Sequence, residues 1–108
     1  MADPNRTNGG EILGIDVDDA GVLVLGRASR KGVKVIILTN PSDEGIYLAF
    51  TNSPDPDSPT NMAEVGKGVY LTPNGGAYEC NESNLIMSEI WAIAATAGPH
   101  RLCGQVCR

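Results

Sequence analysis

A chain of 108 residues carrying a net charge of −5, with a pI near 4.6, is sized for one compact domain. Its acidity argues against nucleic acid as a partner, because phosphate binding needs clustered Lys and Arg. Five aromatic residues, Tyr47, Phe50, Tyr70, Tyr78 and Trp91, leave a thin core that would gain stability from association.

In chain order, the first ten residues, "MADPNRTNGG", read as an arm with almost nothing to bury. They contain no apolar signal core, and no later window approaches the ~18 apolar residues of a membrane span, so synthesis in a cytoplasm is expected. Short β-like runs then recur between turn signals, with little helical periodicity. They fall at 11–17, 22–26, 33–39, 46–52, 68–72, 77–80, 89–95 and 101–106. "DDAG" is expected to reverse the first hairpin, "NPSDEG" to form a turn with Asn40, Ser42 and Asp43 bonding backbone amides, and "AGPH" to break the last pair. "TPNGG" carries Asn-Gly between two strand-like runs, the strongest short hairpin cue in the chain. Residues 81–88 have room for one helical turn. Eight short strands without a crossover helix predict an all-β fold, an antiparallel sandwich or small barrel spanning 11–108. The stretch 52–67, with Pro54, Pro56 and Pro59, is a loop longer than compact domains commonly tolerate without a contact to make.

Chemistry-bearing residues are sparse. Asp16, Asp18 and Asp19 sit in a turn but lack the Gly and Glu of a calcium loop. The basic run from Arg27 to Lys34 holds four positive charges, a weak nucleic-acid signal in an acidic chain. Cys80, Cys103 and Cys107 are an odd number, which favours buried free thiols over a disulfide framework. A bridge from Cys80 and a zinc site with His100 are the alternatives. On one strand Cys103 and Cys107 would stand roughly 13 Å apart, too far to share a tetrahedral zinc. His100 is the single histidine, and neither a G-x-S-x-G elbow nor a Walker lysine is present. The reading is therefore of a non-enzyme without metal or cofactor.

Three runs, "VLVL", "VKVIILT" and "EIWAIAATA", are apolar on both faces, whereas a half-buried strand alternates apolar with polar. Either loops cover the second faces or those faces meet another subunit. The second is favoured, which makes Trp91, Ile93, Leu23 and Leu25 candidate oligomer-interface residues.

The run "GRASRKGVKVIILTNPSDEGIYLAFT" resembles a pattern in small tailed-bacteriophage virion proteins, with matching residues Arg30, Lys31, Ile36, Asn40, Ser42, Ile46, Tyr47 and Leu48. "GKGVYLTPNGGAYEC" is similar to the Gly-aromatic-Leu strand, Gly-rich turn and "YE" strand of that family, at Gly68, Tyr70, Leu71, Gly75, Gly76, Tyr78 and Glu79. "SEIWAIAATAGPHRLCGQV" is similar to its closing pair of strands. The resemblance covers roughly residues 26–107 and implies a structural virion protein on the capsid exterior, a cement or decoration β-sandwich. It implies a homo-oligomer, a trimer first, bound to the major capsid protein and not to nucleic acid or membrane. Arg6 of the arm, with Pro54, Pro56 and Pro59, then become candidates for contact with the shell. A head-fibre, tail or baseplate component for host attachment is the second reading, and a small cytoplasmic ligand-binding domain the third.

Overall fold

The computed structural model describes residues 10–27, 29, 32–81 and 88–108. Apart from Gly10, the expected arm lies outside the described residues, and so does most of the expected helical turn at 81–88. Eight strands are present: β1 (Gly10–Val17), β2 (Val22–Leu25), β3 (Val35–Asn40), β4 (Ile46–Phe50), β5 (Val69–Leu71), β6 (Gly76–Cys80), β7 (Ile90–Ala94) and β8 (His100–Cys107). They form two antiparallel four-stranded sheets, β1-β8-β3-β6 and β2-β7-β4-β5. The expected all-β sandwich is the observed architecture, and it does not close into a barrel.

The pairing follows one rule. β1 pairs with β8, β2 with β7, β3 with β6 and β4 with β5, as in one long hairpin. That ribbon rolls up so that β3 meets β8 and β4 meets β7. This is the strand order of the eight-stranded jelly roll, an architecture shared by viral capsid domains, lectins and cupins.

Rolling the ribbon corrects the hairpin expectations. β1 and β2, β5 and β6, and β7 and β8 lie in different sheets, so "DDAG", "TPNGG" and "AGPH" are corners between layers. β4 and β5 are the single consecutive pair sharing a sheet, and the longest loop joins them. The turn chemistry itself holds. Asp18 Oδ1 accepts from Ala20 N at 2.9 Å, and Asn74 takes a left-handed φ of 62°.

Asn40 stitches the corners at one end. Fully buried, it donates through Nδ2 to the Glu44 carbonyl at 2.7 Å and lies within reach of the Leu71 and Thr72 carbonyls. Its Oδ1 accepts from the Ser42 amide and hydroxyl, at 3.1 and 2.6 Å. Its own carbonyl accepts from Gly75 N at 2.7 Å. A polar side chain with every site engaged is stable in a dry position.

The three doubly apolar runs have three different resolutions. In β2 a bulge between Leu23 and Leu25 breaks the alternation, so Val24 and Leu25 both join the central core. In β3, Ile36 and Leu38 point inward while Ile37, on the outer face, is 39% exposed. In β7 every residue is buried. Ile90, Ala92 and Ala94 face the core between the sheets, and Trp91 and Ile93 face outward into a second cluster.

Candidate functional site

What covers Trp91 is the chain itself. The segment between β4 and β5, residues 51–68, folds back as a strap across the outer face of the β2-β7-β4-β5 sheet. Its Met62 and Ala63 complete an apolar cluster with Trp91, Ile93, Leu23, Tyr47 and Ala49. Trp91 is left 5% exposed. The strap is also pinned at the β1–β2 corner, where Gly21 has a φ of +80° and a Cβ would collide with the Asn61 side chain.

One buried carboxylate anchors the start of the strap. Glu89 stands just before β7, and alternation puts it on the same face as Trp91, two residues on. Its Oε1 accepts from Ser53 N at 2.8 Å and from Trp91 Nε1 at 2.9 Å. Its Oε2 accepts from Ser53 Oγ at 3.1 Å and from Arg27 Nε at 3.3 Å. Arg27 also donates through Nη2 to the Ser53 carbonyl, and Asn52 Oδ1 accepts from Glu89 N at 3.0 Å. The Ser53 amide does most to hold the Glu89 carboxyl down, to about 2, against the opposing pull of burial. The Trp91 indole, the Ser53 hydroxyl and the Arg27 charge add to it. With that acidity and both oxygens engaged, Glu89 is a poor proton carrier at neutral pH and a good anchor.

Beside the anchor lies a groove of about 500 Å³. Leu23, Pro56 and Pro59 give it apolar walls, and Arg27, Asp57 and Glu89 add charged groups to its lining. Such a lining suits an apolar side chain or a small planar group with one acceptor for the guanidinium.

The interface residues expected from sequence separate accordingly. Trp91 and Ile93 lie under the strap and Leu25 is in the central core, so the single chain leaves none of them an open face; this corrects the expectation of an uncovered second face on β7. The physical reason is local: a long proline-rich loop joins neighbouring strands of that sheet and returns across it. Leu23 is half-buried and lines the groove. Pro54, Pro56 and Pro59 are exposed, the last two at the groove, and Arg6 lies outside the described residues.

The cysteines need a second correction. Cys80 is buried as expected, but Cys103 is exposed and Cys107 half-exposed. Cys103 and Cys107 point away from the core on β8, whereas Cys80 points into it, so the sheet itself stands between them and a bridge cannot form. Among the described residues no three His, Cys, Asp or Glu side chains gather as a metal site would require. His100 bonds locally to Thr96.

Sequence reasoning passed over Glu89, Ser53 and the role of Arg27. The readable signal was an acidic residue opening an apolar strand two positions before the single tryptophan, on the same face. No protein-family model, curated protein or solved structure matches this chain.

Proposed function

We propose that this protein is a structural virion component of the cement or decoration type, which works by binding an assembled shell and not by catalysis. The observation that carries this reading is the outer face of the β1-β8-β3-β6 sheet. Unlike the strapped sheet, it has no cover among the described residues. It presents Ile12 (85% exposed), Ile37, Thr39, Ala77 and Cys103, with the Asp16–Arg101 ion pair at one margin. An uncovered sheet face with exposed aliphatics, carrying Glu79 beside Ile37 as well as that ion pair, is suited to burial against another protein.

The resemblance over residues 26–107 supports the same reading, and the jelly-roll order adds a fold-level analogy. The mechanism is mass action. A protein that binds the closed shell and not its separated subunits stabilises the shell by its binding free energy, about 8 kcal/mol per copy at micromolar affinity. The test is co-sedimentation with empty phage shells, comparing wild type with Ile37→Glu. Wild-type binding that Ile37→Glu abolishes is the expected result, and failure of the wild type to bind any shell refutes the proposal. The groove beside Glu89 favours a second reading, a ligand-binding module for host attachment, which predicts saturable binding that Leu23→Asp removes while shell binding is absent.

A further inference from the structure

The two open sheets have four edges, and three are guarded in ways that stop strands from adding. β5 is three residues long, β2 is four residues with a bulge, and β6 is five residues long. β1 is different. It runs for eight residues in unbroken register with β8, from Gly10 opposite Cys107 to Val17 opposite His100. It contains no proline, no lysine or arginine, and no bulge, the devices that natural edge strands use against pairing. Its two acids do not serve as guards, since Glu11 is paired with Arg108 at 3.3 Å and Asp16 with Arg101 at 3.2 Å, both toward β8. On its other side, no described residue pairs with it.

We propose that the free edge of β1 pairs antiparallel with β1 of a second copy, joining two four-stranded sheets into one of eight. The sequence of β1 fits this occupant. Two sheets continue with their cores on the same side only if inward residues meet inward residues, so the pairing register must be even. Glu11 lies on the inward side of β1 and Asp16 on the outward side, as their positions opposite Val106 and Arg101 require. With the two-fold axis through Gly14, Glu11 of each copy faces Val17 of the other and Asp16 faces Ile12, so that register sets no two carboxylates opposite one another. Leu13 of each copy then meets Ile15 of the other, two aliphatic pairs on the core side. The contact is isologous and closes as a dimer. It concerns this chain alone, so its failure would leave shell binding standing, and the reverse also holds.

The test uses the full chain. Light scattering across a concentration series is expected to give twice the 11.3 kDa chain mass, with the β1 amides protected from hydrogen exchange as dimer accumulates. Gly14→Glu sets two carboxylates face to face on the axis. The fold tolerates it, because the nearest neighbour of a Cβ there is the flexible end of Arg101. This variant is expected to weaken dimerisation at least tenfold with an unchanged circular dichroism spectrum. In a Cys103→Ser, Cys107→Ser background, Gly14→Cys is expected to form an oxidised dimer on a non-reducing gel. A chain that stays monomeric overturns the proposal. So does a trimer, which head-to-tail pairing of β1 with β6 would build, or a dimer indifferent to Gly14→Glu.

Discussion

Replacing Glu89 with glutamine changes one atom and tests whether the buried carboxylate holds the strap. Each carboxylate oxygen accepts two hydrogen bonds, Oε1 from Ser53 N and Trp91 Nε1, and Oε2 from Ser53 Oγ and Arg27 Nε. An amide can match one pair only. With its oxygen toward Ser53 N and Trp91, its NH₂ faces the Arg27 guanidinium, donor against donor, and the ion pair is lost. The wild-type carboxyl is lowered from 4.5 to about 2, so its contribution to strap closure is complete above pH 4.5 and is lost as pH falls toward 2. Across that window one proton is taken up per opening, so the closure constant falls by up to about tenfold per pH unit. Trp91, the single tryptophan, reports directly, because an opened strap exposes its indole. Wild-type emission is expected to shift red between pH 4.5 and 2. In Glu89→Gln it should start red-shifted at pH 7 and lose the pH dependence attributable to this group. A variant that retains the wild-type acid transition refutes the anchor.

Three further outcomes follow from the same geometry. Trp91→Ala removes the centre of the second cluster and should cost about 3–5 kcal/mol in urea unfolding; a loss below ~1 kcal/mol would mean that the strap packs loosely. Asn40→Asp puts an oxygen where Nδ2 faces the Glu44, Leu71 and Thr72 carbonyls, so it should destabilise more than Asn40→Ala at pH 7. The Asn40→Asp deficit should shrink as pH falls and the new carboxyl protonates to a donor; a melting point no lower than that of Asn40→Ala at pH 7 would count against the corner network. A thiol reagent should modify Cys103 in the native protein, while Cys80 reacts only at the rate of global unfolding; equal rates would place Cys80 outside the core.

The sequence by itself determined the eight strands and the places where the chain turns between them, because both signals are local. A short apolar run bounded by turn residues, such as 33–39 before "NPSDEG", is a property of a few neighbouring residues, and so is the preference of Asn-Gly for positive φ. Which strands pair is not local. The same Asn74-Gly75 turn serves a hairpin or a corner, and only the rolled ribbon, with β8 between β1 and β3, decided for the corner. The two apolar faces of β7 were likewise legible, but not what covers the outer one. A strap and a partner subunit both bury apolar area, and sequence pattern does not tell them apart. The tertiary structure decided it, because the 51–68 connection joins adjacent strands and reaches back across their sheet. What Glu89 anchors was not legible for the same reason, since its partners Ser53 and Arg27 are 36 and 62 residues away.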